Sequence, residues 1–233
     1  MKSRNATIDY LRGLAALMVC VCHYRHTLPD QLAAIAKHGE IGVQIFFVIS
    51  GFIIPYSMEK AGYRLVDFGR FWLKRLVRLQ PTFLAALVFT FLLSRASSHF
   101  KGGAVDFSLS DLAASAVYWR VPSENPVIWT LIVELKYYLF ISLLFPLLFS
   151  VNDTIRRLSF LGCMILATLL LPYAETLRHA PCFLLGFAAC YLRTGRSTSG
   201  EALILSILVI VSAFTGSSTL QIAAGVLTSA AIL

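Results

Sequence analysis

The chain has 233 residues, 58% of them hydrophobic and only 14% charged, with a mean hydropathy of +0.75 and a formal net charge of +8. A soluble domain is about half apolar with about a quarter of its residues charged, so this composition excludes a soluble surface. Apolar runs recur along the whole length, which also excludes a single anchor helix on a globular domain.

In lipid every backbone polar group must be paired within the protein, which leaves helices or a closed barrel. Runs such as TFLAALVFTFLL (82–93) are continuous rather than alternating, the helical pattern. The expected fold is therefore all-α, a polytopic transmembrane helix bundle. Its positive charge reads as basic cytoplasmic loops, not as nucleic-acid contact. The five cysteines lie in or at the edge of apolar runs and read as small core residues. With no CxxC or His-rich spacing, no metal is expected.

In chain order the candidate spans are 8–24, 42–58, 81–94, 127–149, 158–173, 180–193, 202–216 and 220–233. The basic N-terminus resembles a signal peptide, but Asp9 and Arg12 interrupt it and no small-x-small site follows, so it reads as a retained first span. Arg12 and His23 lie on one face of that span, within about 20° and separated by roughly 16 Å of rise. Ala16 and Val19 or Cys20 lie between them, a stripe that suits a long, thin, phosphorylated ligand. The plainer alternatives are a snorkelling Arg12 and a His23 at the water boundary.

The second span, GVQIFFVISGFIIPY (42–56), carries Ser50-Gly51 at its middle. Small residues there admit a ligand or a neighbouring helix. The segment 67–80 is amphipathic, with Phe68, Phe71, Trp72, Leu76 and Leu79 near one face. It reads as a surface helix leading to Pro81 and the third span. DLAASAVYW (111–119) reads as interfacial or re-entrant. The fourth span holds Trp129, Glu134, Lys136, Tyr137 and Tyr138. Glu134 and Tyr138 share a face at i and i+4. A carboxylate and an ammonium this deep are functional candidates or a structural ion pair.

Placing the N-terminus in the cytoplasm and keeping 95–126 outside puts twelve basic residues inside (Lys2, Arg4, six from Lys60 to Arg78, Arg156, Arg157, Arg193, Arg196). It leaves six outside (Arg25, Lys37, Arg95, Lys101, Arg120, Arg178). The last run stops at Leu233 without a polar tail. The expectation is one membrane-embedded domain over 1–233, truncated at its C-terminus.

Four blocks in order resemble the acyltransferase-3 family of integral membrane acyltransferases, whose members acylate O-antigen, exopolysaccharide, Nod factors and macrolides. They are IDYLRGLAALMVCVCH (8–23), like its R-G-(x)n-H helix; GVQIFFVISGFII (42–54), like G-V-x-x-F-F-x-x-S-G-F; FWLKRLVRLQP (71–81), like F-x-x-x-R-x-x-R-x-x-P; and WTLIVELKYYLF (129–140), like W-S-L-x-x-E-x-x-F-Y. Members have about ten spans, so about eight are present here. Members also often carry a serine or acid soon after the histidine, where this chain offers only Thr27 or Asp30.

The resemblance implies a multi-pass protein of the cell inner (plasma) membrane. It implies transfer of an acyl group, most simply acetyl, from acyl-CoA (acetyl-CoA) to a hydroxyl of a carbohydrate or lipid-linked glycan. His23 and Glu134 are then the catalytic candidates, Arg12, Arg75 and Arg78 the acyl-CoA phosphate ligands, and Ser50, Trp129 and Tyr138 the substrate-contacting candidates. The rival reading is a transporter or flippase, whose signature would be paired broken helices in matched halves.

Overall fold

The computed structural model describes residues 6–101, 107–122, 125, 127–170, 175–198, 201, 204, 206–207, 209 and 219–233. Among them there is no strand. The helices are α1 (Ala6–His23), α2 (Asp30–Ala36), α3 (Ile41–Lys60), α4 (Phe68–Lys101), α5 (Leu109–Ala116), α6 (Ile128–Leu148), α7 (Asp153–Leu170), α8 (Ala180–Arg193) and α9 (Thr219–Ile232). Short 3-10 turns join several of them. By length and composition four described stretches can cross a membrane: Ala6–His23, Asp30–Lys60, Leu65–Phe100 and Ile128–Leu148. The expected span at 202–216 lies largely outside the described residues.

Contacts divide the chain into two compact units, Met1–Tyr63 with Leu144–Leu233, and Arg64–Leu143. The first is centred on α3, which buries residues all round, among them Gln44, Val48, Ile49, Ser50, Gly51 and Ile54. A helix buried on every side needs several partners, and α1, α8 and α9 supply them. Lipid offers no hydrophobic gain for bringing helices together, so packing depends on close backbone approach at small residues. That is how α3 meets α8: a Cβ on Gly51 would lie 2.2 Å from the Phe183 carbonyl oxygen, and one on Gly186 would lie 2.0 Å from that of Val48. Of the two readings of Ser50-Gly51, the glycine is a helix-packing site. α9 adds Gly225 against Leu185 and a hydrogen bond from Ser229 Oγ to the Leu185 carbonyl at 3.4 Å.

Direction follows from these contacts. Phe47 meets His179 and Gly51 meets Phe183, so α3 and α8 run parallel. α1 runs antiparallel to α3, with Ala15 and Val19 against Gly42, and Met18 and Cys22 against Gly39. Parallel neighbours start on the same membrane face, so an odd number of crossings separates them. The eight-residue α5 has length for about 12 Å, far short of the ~30 Å hydrocarbon core.

Both α3 and α8 end in the same way. Gly62 and Gly195 take φ of +59° and +68°, the left-handed region open to glycine. Tyr63 N–H then bonds the Met58 carbonyl and Arg196 N–H that of Tyr191, the Schellman arrangement. α7 is capped by Asn152 just before it, whose side chain accepts from Thr154 N at 2.9 Å. It starts five residues before the expected span and so includes Arg156 and Arg157.

In the second unit the expectation of a surface helix at 67–80 followed by a separate span at 81–94 is corrected. α4 is one helix of 34 residues that passes through Pro81. Proline removes one donor and leaves the Val77 carbonyl without its intrahelical partner, a loss that long membrane helices tolerate. Phe83 and Leu87 of α4 form a core with Phe107 and Ile128. Ser108 and Asp111 cap α5 reciprocally, each side chain accepting from the other's backbone N–H at 3.1 Å. Tyr118 holds φ of +61°, uncommon for a non-glycine residue. Its ring stacks on Phe83 and its hydroxyl donates to Gln80 at 2.5 Å, while Gln80 Nε2 donates to the Ala116 carbonyl at 3.2 Å.

Large apolar side chains line the outside of these helices, among them Leu17 of α1, Phe89 and Leu92 of α4, Leu143 of α6 and Leu169 of α7. Water would not tolerate such a continuous apolar exterior. Lipid does, and the chain is an all-α membrane protein.

Candidate functional site

The sequence candidates fall into both units. In the first, α1 buries Ile8, Ala15 and Cys22, a seven-residue repeat facing the bundle. Arg12 and His23 flank that seam; Arg12 is half-buried and His23 exposed. The α1 end is fixed just beside the imidazole. Cys22 Sγ lies 3.6 Å from the Lys37 carbonyl, and Arg25 Nη1 donates to the Cys22 carbonyl at 3.3 Å. Ser50 lies inside the bundle on α3, at 6% exposure.

The same end of this unit carries a histidine the sequence reading passed over. His179 precedes α8, and its ring lies 5.0 Å from that of Phe47. Because α3 and α8 are parallel and α1 antiparallel, His23 and His179 belong to the same membrane face. The sequence signal was available, a histidine two residues before Pro181 at the start of an apolar run, but nothing in it marks which helix it meets.

In the second unit α4 and α6 bring four candidates together. Tyr138, 3% exposed, donates its hydroxyl to Glu134 Oε1 at 2.5 Å, one helical turn away. The Arg75 guanidinium lies 5.5 Å from the centre of the Tyr138 ring and 5.3 Å from that of Phe71. The two rings meet edge to face at 6.3 Å. Arg78 lies on the next turn of α4. Trp72 donates to Ser142 Oγ at 3.4 Å and pins α4 to α6 one turn further along. The result is a line from exposed Arg78 through half-buried Arg75 to a tyrosine–carboxylate pair whose tyrosine is buried. Arginine suits this position because its planar cation stacks on rings while its N–H groups stay available to a phosphate.

Trp129 is half-buried in the first turn of α6, about 7.5 Å of helix rise from Glu134. Lys136 is exposed, and side chains at i and i+2 do not face one another, so it is not the partner of Glu134. Among the described residues no group of histidine, cysteine, aspartate and glutamate could hold a metal ion.

The acyltransferase-3 family model, described as an acyltransferase domain, matches residues 5–231. The O-acetyltransferase OatA of Staphylococcus aureus is 31% identical over 162 residues, which are 61% of this chain and 24% of that protein. The acyltransferase MdmB of Streptomyces mycarofaciens is 30% identical over 171 residues, 66% of this chain and 42% of that one. The matched stretch is thus less than half the length of either relative. No solved structure matches. With the family model matched across nearly all of its residues, the chain belongs to the acyltransferase-3 family.

Proposed function

We propose that the chain is a membrane O-acyltransferase that moves an acyl group, acetyl in the simplest case, from acyl-CoA to a hydroxyl of a carbohydrate or lipid-linked glycan. The observation that carries this reading is the family match over residues 5–231; relatives named as an O-acetyltransferase and an acyltransferase support it. The proposed setting is the plasma (inner) membrane, with the N-terminus in the cytoplasm and residues 1–233 acting as one domain. The acyl-CoA donor enters from the cytoplasm and the acceptor lies at the opposite face.

A hydroxyl is a weak nucleophile near neutral pH, and an imidazole in its neutral form is a suitable base. In the proposed step the acceptor oxygen attacks the thioester carbonyl while its proton passes to His23. The carbon–sulfur bond then breaks and the CoA sulfur leaves with the electron pair, to be protonated in turn. The exposure of His23 suits this role, because its ring is open to a ligand while Cys22 and Arg25 hold the helix end beside it. Arg12, Arg75 and Arg78 are the proposed phosphate ligands, since guanidinium matches phosphate with paired hydrogen bonds. Glu134, half-buried, pairs with the buried Tyr138 beside Arg75, and Ser50 and Trp129 are the remaining proposed substrate contacts.

The test is transfer of labelled acetyl from acetyl-CoA into glycan by membranes carrying the full-length protein, comparing wild type with His23→Ala at matched expression. Label in wild type and a loss of about 10²- to 10⁴-fold in the variant is expected for a general base. Equal labelling removes His23 from the chemistry.

A further inference from the structure

The sequence reading assigned Arg156, Arg157 and Arg196 only to the charge bias of cytoplasmic loops. The structure brings all three around a cavity of about 220 Å³ within the first unit, walled by Leu161, Tyr191 and Ser197. It sits where α7 begins and α8 ends, at the membrane face opposite the one to which His23 and His179 belong.

Arg156 is 5% exposed, stands 6.0 Å from the centre of the Tyr191 ring, and uses only Nη1 in its bonds to Asp153 and the Ser150 carbonyl. Arg157 uses Nη2 on Glu201. Arg196 uses Nε and Nη2 on Glu59. A guanidinium has five N–H donors, so among the described residues each keeps donors without a partner beside the cavity. Ser197 Oγ is also buried there without a hydrogen-bond partner among the described residues. Arg156 and the Ser197 hydroxyl are buried there, and a buried donor without an acceptor is costly; Arg157 and Arg196 keep more contact with solvent and frame the opening. Asp153 and Glu59 pair with Arg156 and Arg196 from outside the lining, which itself presents three guanidinium groups and one carboxylate, Glu201, so the side turned to the cavity suits an anionic acceptor.

The surroundings identify its chemistry. Exposed apolar side chains adjoin the arginines, Ile155 and Leu158 on α7 and Ile204 and Ile207 beyond α8. A soluble anion gains nothing from that apolar surface, whereas a lipid fits both parts at once. We infer that this cavity binds the phosphate headgroup of an anionic membrane lipid, whose acyl chains lie along the neighbouring apolar surface; basic pockets between membrane helices recognise lipids in this way. The inference does not rest on the acyl-transfer reading.

The purified full-length protein in a neutral detergent is titrated with dioctanoyl phosphatidylglycerol, and separately with dioctanoyl phosphatidylcholine, inorganic phosphate and CoA. Binding is read by calorimetry and by thermal shift. Phosphatidylglycerol binds and raises the melting temperature; phosphatidylcholine, which shares its tails, does so far more weakly. Arg157→Gln with Arg196→Gln weakens phosphatidylglycerol by about thirtyfold, at roughly fivefold per arginine. Glu201→Gln removes a competing carboxylate and tightens binding. If the arginines serve only to tie the helices together, Glu201→Gln lowers the melting temperature and leaves lipid binding unchanged, and the inference fails. Equal binding of the two lipids overturns it, as does tight binding of phosphate or CoA at these arginines without any for phosphatidylglycerol.

Discussion

Gly186→Ala adds one methyl group where α8 crosses α3. Its carbon would lie 2.0 Å from the Val48 carbonyl oxygen and 2.8 Å from the Phe52 nitrogen. Both are backbone atoms of a buried helix, so no side chain can swing aside. Restoring an ordinary 3.4 Å contact from 2.0 Å requires the helices to part by about 1.4 Å. That separation weakens the paired close contact at Gly51 and the Phe47–Phe183 ring contact at 4.8 Å. Overpacking of this kind costs about 1–3 kcal/mol, and rigid atoms on both sides place this case at the upper end. The control is Gly162→Ala on α7, where an added Cβ meets nothing within 4 Å. There the substitution should stabilise the helix by about 0.5–1 kcal/mol, because glycine loses more freedom on ordering. Thermal unfolding of both variants in one detergent, followed by tryptophan fluorescence or by aggregation, reads the difference directly. The two changes should have opposite signs. If Gly186→Ala is as stable as Gly162→Ala, α3 and α8 do not pack at these glycines and their parallel pairing falls with them.

Other consequences are accessible to simpler assays. Gln80→Ala removes bonds to both Tyr118 and Ala116 and leaves the left-handed Tyr118 held by its stack on Phe83. It should cost about 1–3 kcal/mol and open the stretch after α5 to limited proteolysis; unchanged proteolysis would contradict the role given to Gln80. Tyr138→Phe keeps the ring beside Arg75 but withdraws the hydroxyl from Glu134. Acetyl transfer should fall by about tenfold, the loss of one hydrogen bond to a charged group, whereas Arg75→Gln should act mainly by raising KM for acetyl-CoA. Asp111 has its carboxyl held below the ordinary value of 3.8, first by the Ser108 side chain, then by the Ser108 backbone N–H, with Arg120 adding to it. A depressed carboxyl contributes stability above its ordinary value and loses that contribution as pH falls through the folded one. Stability measured from pH 5 downward should therefore decline less in Asp111→Asn than in the native protein; parallel declines would dismiss the cap as a source of acid sensitivity.

The sequence was most legible where charge or turn chemistry marks the ends of helices. Its expected span at 180–193 coincides with α8, and a non-spanning piece near 111–119 corresponds to the short α5. The Glu134–Tyr138 contact follows from their i, i+4 spacing. The continuity of α4 through Pro81 was not legible, because proline is a local breaking signal while its tolerance depends on surroundings in the membrane. Nor was it visible that Gly51 faces Gly186. In lipid, apolar side chains cover inward and outward faces alike, so patterning does not single out the packed side. The seven-residue repeat of Ile8, Ala15 and Cys22 is present in the sequence but lost among equally apolar neighbours. The arginine cavity was hidden for a different reason. Arg157 and Arg196 meet there from distant parts of the chain, and each alone looks like an ordinary cytoplasmic charge.

The pairing of α3 with α8 bears on how the protein is made. α3 leaves the ribosome with Gln44 and Ser50 among side chains that end up buried, yet the helix that covers Gly51 follows more than a hundred residues later. At about 5–20 residues per second that interval is roughly seven to twenty-seven seconds. During it, α3 has only α1 of its final helical partners. Gln44 and Ser50 therefore wait in an incompletely covered helix until Gly186 arrives to close over Gly51.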